Sequence, residues 1–393
     1  MVLRITFLTV QVCAAICVVL TLVIHYWLNR KWIQKSLPSL SACTDEELPY
    51  LFIVLPVWNE AAIIEEKLDN LLAQKYPPTR RRIVLIDSAS TDDTVSLAKA
   101  WDAKHQLNLE IIEMPARLGK SEAINRAITE IKSTDDVFVM TDADALLGAG
   151  ALRRIGRRMK DEEIGAVCGS IAIDTDQTIY RDWYRWFREG ESRVDSTPIF
   201  EGSIAAYRTS FLSPIDSGSN ADDSQLAVQI RQSGLRAISD SAIQFHERPI
   251  TDARELRARA IRRGQGLSRH FWRNRKHWFG HGTWRTILGI NGVQHTLIPW
   301  VVIIGILSGV AHALTVILIG WTGSEALPLD RIMLLIDALV LFSLAIGVSG
   351  ARIPLCGTIV SYLHQNLNLA YGMYLTQTGR SLHRWNQITS NRE

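Results

Sequence analysis

The sequence holds little of what would place it at a glance. Cysteine is sparse: Cys13, Cys17, Cys43, Cys168 and Cys356 are scattered over 393 residues, odd in number and without a CxxC pair. That pattern is no disulfide framework, and it favours a reduced, cytosolic soluble part. The net charge is small, +3. The basic residues gather beside apolar runs, where membrane proteins keep them, so nucleic acid is not an expected partner. There is no GxxxxGK[ST] phosphate loop, no Ser-His-Asp or Cys-His set, no internal repeat and no low-complexity tract.

Hydrophobic residues are plentiful, at 47%, and mean hydropathy is slightly positive. This is high for a soluble enzyme and low for a transporter. The length exceeds one compact core, so one soluble domain with a few membrane segments is expected. Residues 5–28 are almost wholly apolar and, at about 1.5 Å per residue, long enough to cross a bilayer. Arg4 precedes them and Asn29-Arg30-Lys31 follow. These flanks read as an uncleaved anchor, residues 1–30, with its far end in the cytoplasm, rather than a signal peptide. A linker, 31–49, comes next. Runs 297–321 and 332–351 are also long enough to span, and the link between them carries Glu325, Asp330 and Arg331. Residues 353–375 are apolar but broken by His364, Gln365, Asn366 and Asn368. They read as a poor fourth span or as an interfacial or re-entrant hairpin; Arg380 and Arg384 in the tail (380–393) favour the second. Residues 251–290 mix ten Lys or Arg with Phe271, Trp272, Trp278, Phe279 and Trp284. That composition suits helices lying in a membrane interface better than a solvated charged helix.

Between 50 and 250 the pattern changes. Short Ile- and Val-rich runs near 51–55, 83–86, 109–112 and 137–140 alternate with amphipathic stretches near 60–74, 92–105 and 119–132. Such alternation predicts an α/β domain with a parallel sheet covered on both faces, and ligands bind at the carboxyl ends of such strands. Polar clusters sit at each of those ends. After the first comes Pro56-Val57-Trp58-Asn59-Glu60, with Asn59 a plausible helix cap. After the second comes Asp87-Ser88-Ala89-Ser90-Thr91-Asp92, where Asp87 can accept hydrogen bonds and Asp92 can cap the next helix. After the third, Arg117, Gly119 and Lys120 lead into a helix start, a place for a phosphate or a base edge. After the fourth, Asp142-Ala143-Asp144 would put two carboxylates on one face of an extended segment, suited to a divalent cation that neutralises a diphosphate. Residues 291–379 complete the chain as C-terminal transmembrane or re-entrant helices.

The order PxxNE, Asp-x-x-Ser-x-Asp, RxGKxxAxN and DxD resembles the family-2 glycosyltransferases, over a little more than half of the chain. The resemblance implies the nucleotide-sugar-binding GT-A fold (Rossmann-like), with kinship to cellulose, hyaluronan and chitin synthases and to polyprenyl-phosphate sugar transferases. It places Pro56, Glu60, Asp87, Arg117, Lys120, Asp142, Glu201 and Gly202 on the nucleotide-sugar, and Asp142 and Asp144 on Mn2+ or Mg2+. Ser88 departs from the family, where many relatives carry a second Asp. Glu201-Gly202-Ser203 and Asp222-Asp223 resemble its acceptor-side motifs, with Asp223 as general base beside Asp222; an acidic helix start would look the same. Arg259-Ala260-Ile261-Arg262-Arg263 stands where polymerising relatives carry QxxRW, so Arg259, Arg262 and Arg263 are candidates to clamp the diphosphate. The missing Trp counts against polymerisation. His246 is a candidate third metal ligand. Tyr184 and its aromatic neighbours on 180–187 form a stripe at helical spacing that suits packing more than recognition.

The implied activity is an inverting, metal-dependent transfer from a nucleotide-sugar, UDP before GDP, to a lipid or lipid-linked acceptor at the cytoplasmic face of a membrane. The alternatives are a processive polysaccharide synthase and a non-catalytic membrane assembly subunit that kept the fold.

Overall fold

The computed structural model describes residues 2–106, 108–172, 179–319, 328–349 and 353–382. Glu325 and Arg384 lie outside them. At the centre is one eight-stranded sheet. Its strands are β1 (Leu51–Val57), β2 (Arg81–Asp87), β3 (Leu109–Glu113), β4 (Val137–Thr141), β5 (Ala145–Leu147), β6 (Ile164–Ile171), β7 (Ile204–Arg208) and β8 (Arg236–Glu247). Their order is β3-β2-β1-β4-β7-β6-β8-β5.

The half β3-β2-β1-β4 is parallel, as the alternating pattern predicts. The other half is not. β7 runs antiparallel to β4 and β6, β8 parallel to β6, and β5 antiparallel to β8. The sheet is therefore mixed. The change of direction comes where β7 pairs antiparallel with β4, while the short β5 that follows the Asp142–Asp144 turn lies at the far edge of the sheet on β8.

Alternate strand residues feed two cores. Leu51, Ile53 and Leu55 pack with Ile64, Leu68 and Leu71, whereas Phe52 and Val54 pack with Ala123, Ile124 and Leu226. Each fully buried Leu, Ile or Phe contributes roughly 1.5–3 kcal/mol. Helix α1 (Val2–Trp32) precedes the sheet; α2 (Ile64–Leu72), α3 (Thr94–His105) and α5 (Ala151–Arg158) cover the first face, α4 (Lys120–Thr129) and α7 (Asp222–Gln232) the second. The α2 start corrects one expectation. Asn59 does not cap it; its side chain accepts from Thr91 N at 2.8 Å instead. Asp92 does accept from Thr94 N, the first residue of α3, at 3.1 Å.

Helix α6 (Ile179–Val194) carries the aromatic stripe, and it packs on α1. Phe187 stacks on His25 with ring centroids 3.9 Å apart, Trp186 lies 5.4 Å from Tyr26, and Asn29 Nδ2 donates to the Trp186 carbonyl at 2.8 Å. Beyond β8 come α8 (Ala253–Arg273), α9 (Thr283–Thr296), α10 (Ile298–Ile319), α11 (Pro328–Ser349) and α12 (Pro354–Gln377). Among the described residues α1 and α10 are the helices long and apolar enough to cross a membrane, by length and composition. α12 is one uninterrupted helix, so the hairpin expected over 353–375 is not formed; Asn366, one of the residues that seemed to break it, is buried and donates to the Tyr362 carbonyl at 2.9 Å.

The basic segment divides. Trp272 and Phe279 are exposed, but Trp278 is buried, and Arg269 and Arg273 both pair with Asp216. α8 crosses α12 closely through facing glycines. A Cβ on Gly264 would lie 3.2 Å from the Asn368 carbonyl oxygen, and one on Gly372 only 2.7 Å from Gln265 N. This contact fixes the stretch of α8 that bears Arg259, Arg262 and Arg263.

Candidate active site

The carboxyl ends of β1 and β4, the start of α4, the start of α7 and the first turns of α8 surround one cleft of about 180 Å³. Pro56 and Glu60 enter from β1 and the loop after it, Lys120 from α4, and Asp142 and Asp144 from the turn after β4. Glu201 and Gly202 come from the approach to β7, Asp222 and Asp223 from α7, and Arg259, Arg262 and Arg263 from α8. Residues from Pro56 to Arg263, some 200 positions apart in sequence, thus face one space. The DxD carboxylates arrive differently from expectation. Residues 142–144 are a tight turn, in which Ala145 N donates to Asp142 O at 3.3 Å, not an extended strand.

Lys120 is the hub. Its Nζ lies 2.6 Å from Asp142 Oδ1 and 3.6 Å from Asp222 Oδ2. Burial works against its charge, but Asp142, Asp222 and Asp223 outweigh burial and raise its pKa. A Cβ built on Gly202 would sit 3.2 Å from that Nζ and 3.3 Å from Asp223 Oδ2, so residue 202 separates the cation from the candidate base with backbone alone. Asp223 accepts from Ser224 N at 2.7 Å. Burial and then the neighbouring Asp222 push its carboxyl up to about 7, against the pull of Lys120, Ser224 N–H and Arg263. A carboxylate poised near neutrality is matched to general-base work.

The three arginines differ. Arg259 Nη2 donates to Glu247 Oε2 at 2.7 Å, and Arg263 lies 3.3 Å from Glu201. Arg262 makes no ion pair within 4 Å among the described residues. Burial and the neighbouring Arg259 lower its pKa, with Asp142 and Asp222 opposing.

Not every expected residue lines the cleft. Asp87 is buried at the end of β2, in register with Val57, and accepts from Ser90 N at 3.0 Å. Arg117 lies over the Trp58 ring, 3.4 Å from its centroid. His246 is exposed and points away, in register with Leu146 of β5; the next residue, Glu247, turns inward and accepts from Ser203 Oγ and Arg259. In a strand the side-chain face flips with each residue, so the third-ligand expectation for His246 fails by one position. Among the described residues no three His, Cys, Asp or Glu are grouped as a metal cage. Asp142 and Asp144 alone are hard oxygen ligands of the kind Mg2+ or Mn2+ takes when phosphate oxygens and water complete its shell, and they fit that shared role.

Lys67 escaped the sequence reading. It is fully buried on α2 beneath the DxD turn, donating to Thr141 Oγ1 at 2.8 Å and to the Ala145 carbonyl. Burial lowers its pKa to about 7, with Asp142 and Asp144 opposing. The signal was there: Lys67 falls on the apolar stripe of α2 with Ile64, Leu68 and Leu71.

Residues 52–220 match the model of glycosyl transferase family 2. The probable glycosyltransferase YdaM of Bacillus subtilis is 25% identical over 52% of this chain and 52% of its own length. The poly-beta-1,6-N-acetyl-D-glucosamine synthase of Staphylococcus aureus is 27% identical over 40% of this chain and 36% of its own. The chain thus spans about half or less of the curated relatives it matches. A solved structure, the mannosyltransferase PcManGT from Pyrobaculum calidifontis in complex with GDP-Man and Mn2+, superposes with a TM-score of 0.79 at 26% identity, covering 95% of this chain and 100% of that one.

Proposed function

We propose that this chain, whose residues 52–220 match glycosyl transferase family 2, is a glycosyltransferase that carries out an inverting transfer of a sugar from a nucleoside-diphosphate donor to a lipid or lipid-linked hydroxyl at a membrane surface. The observation that carries this reading is the meeting of Asp142, Asp144, Lys120, Asp222, Asp223 and Arg262 around one cleft. Asp142 and Asp144 would hold the divalent cation, which supplies charge neutralisation to the leaving diphosphate. Arg262 meets the same diphosphate as negative charge grows on it. Asp223 takes the proton of the acceptor hydroxyl while the new bond from that oxygen to the anomeric carbon forms and the bond from that carbon to the diphosphate oxygen breaks. Lys120 bridges Asp142 and Asp222 and offsets their charge in the cleft.

Apolar side chains on the outer faces of α1, α10 and α11 support the membrane setting: Ile317, Leu318 and Leu335 are each at least 70% exposed, and a soluble surface rarely bears so much. α1 grips α6, and α12 grips α8, so both membrane-facing groups hold the cleft near the bilayer, with the catalytic part on the cytoplasmic side. The sequence favours a UDP-sugar; the neighbour that covers the whole chain was solved with GDP-Man and Mn2+, so the donor test includes both. Release of nucleotide from UDP- and GDP-sugars with Mn2+ checks the reading. Wild type should release it, and Asp223→Asn should lose about 10²–10⁴-fold, the usual worth of a general base. No release by wild type with any donor would point instead to a non-catalytic assembly subunit; a ladder of product lengths would point to a processive synthase.

A further inference from the structure

Glu191, on α6, is a buried carboxylate that lines no part of the cleft. Its two oxygens tie separate pieces of the chain to α6. Oε1 accepts from Asn291 Nδ2 of α9 at 2.6 Å and lies 3.3 Å from His25 Nε2 of α1. Oε2 accepts at 2.7 Å from Oγ1 of Thr197, in the loop that leads through Glu201 and Gly202 into β7. His25 is held in turn: its ring stacks on Phe187, and its Nδ1 lies 3.2 Å from Gln294 Oε1. A carboxylate out of water is tolerated only where fixed donors satisfy its oxygens, so these partners hold one another at a set spacing.

Two routes lead from this carboxylate to the cleft. One is the loop itself, which Thr197 opens and Glu201 and Gly202 close. The other is Arg188, one turn back on α6, which pairs with Glu201. Burial works against the Arg188 charge, but Glu201, Cys168 and Glu191 outweigh burial and raise its pKa. Gly202 separates Lys120 Nζ from Asp223 Oδ2 with backbone alone, so a small shift of this wall changes the space beside the candidate base. Asp142 and Asp144 stand on a different support, the turn after β4 that Lys67 holds. The end of α1 also meets α6 at a second point: Arg193 Nη1 donates to the Ile33 and Lys35 carbonyls at 2.9 and 2.8 Å. That contact involves neither Glu191 nor the loop.

We infer that Glu191 is a positioning residue for the transfer: it fixes the Glu201–Gly202 wall through Thr197 and Arg188, and ties that wall to α1 and α9 through His25 and Asn291. The inference rests on the sugar-transfer reading and adds the residue that sets the wall beside Asp223. The test uses the full chain in neutral-lipid nanodiscs. Nucleotide release from UDP- and GDP-sugars with Mn2+ is measured alongside equilibrium binding of Mn2+ with UDP and with GDP. Thr197→Val removes one hydroxyl and keeps the shape of the side chain. It and Glu191→Gln should each lower kcat by about tenfold or more, the scale of a misplaced reacting group, with affinity for the Mn2+-nucleoside diphosphate held within about twofold. Thr197→Ser, which keeps the hydroxyl, should restore most of the rate. The double variant should lose little more than the worse single one, because both cut the same link. Arg193→Gln loosens the same helix pair elsewhere, so it should lower the melting temperature and leave kcat near that of wild type. Thr197→Val is the deciding variant, since it leaves Glu191 and its other partners in place. An unchanged kcat in Thr197→Val, a rate loss matched by lost Mn2+-nucleoside diphosphate affinity, or an equal rate loss in Arg193→Gln overturns the inference. No nucleotide release by wild type would refute the sugar-transfer reading instead.

Discussion

The charge state of Asp223 predicts the shape of the pH profile. Its carboxyl is raised to about 7, and only the ionised form is a base, so kcat/KM should fall about tenfold per pH unit below 7 and level off above 8. The groups that face it are Asp222 on its own helix, Lys120 from α4 and Arg263 from α8. Of these Asp222 raises its pKa while both cations lower it. Asp222→Asn should therefore move the acid limb down by about one unit, equivalent to roughly 1.4 kcal/mol, while Arg263→Gln should move it up. The same shift has a sign in stability. A carboxyl whose folded pKa exceeds its unfolded value, 3.8, contributes stability in full below about pH 4 and loses it as pH rises through about 7. Asp223→Asn should thus be more stable than wild type at pH 8, by up to about 4 kcal/mol, with the gap narrowing towards pH 5. Steady-state rates from pH 5 to 9 and melting of both proteins at pH 5 and 8 provide the check. A flat rate profile across pH 6–8, or an Asp222→Asn midpoint unmoved from wild type, would refute the reasoning.

Three other outcomes follow from the same geometry. Asp144→Asn should raise the Mn2+ concentration needed for half-maximal rate at least tenfold while leaving the fold intact, because Asp144 sits in a turn and not in the core; equilibrium Mn2+ titration with far-UV circular dichroism checks both halves. Lys67→Met should leave the Ala145 carbonyl without its ammonium donor and cost about 1–3 kcal/mol, and the loosened DxD turn should weaken Mn2+ binding as well; melting without metal and Mn2+ titration separate the two effects. Because burial depresses the Lys67 pKa to about 7, wild type should gain stability from pH 7 to 9 relative to this variant.

Much of the parallel half of the sheet was legible. Val- and Ile-rich runs with turn residues after them mark β1 to β4 closely, and helix periodicity marks α2 to α4. The antiparallel half was not, because β5 to β8 are set by pairings among distant segments that no local period encodes. Strand parity explains His246 and Glu247: without the register against β5, nothing in the sequence says which of two neighbouring residues faces inward. The DxD pair was found as a motif but misread as a strand face, since three residues do not reveal a turn. α12 misled through its amides, of which Asn366 is satisfied within its own helix by the Tyr362 carbonyl. The aromatic stripe on α6 does pack, although its partner is the first helix, with Asn29 157 residues before Trp186.

The most direct test is the configuration of the transferred sugar. Early proton NMR spectra of the product formed from an α-linked nucleotide-sugar should show a β-anomeric coupling, because one carboxylate base at Asp223 and one diphosphate leaving group permit a single displacement with inversion. A product that keeps the α configuration would contradict the role of Asp223 and, with it, the account of this cleft.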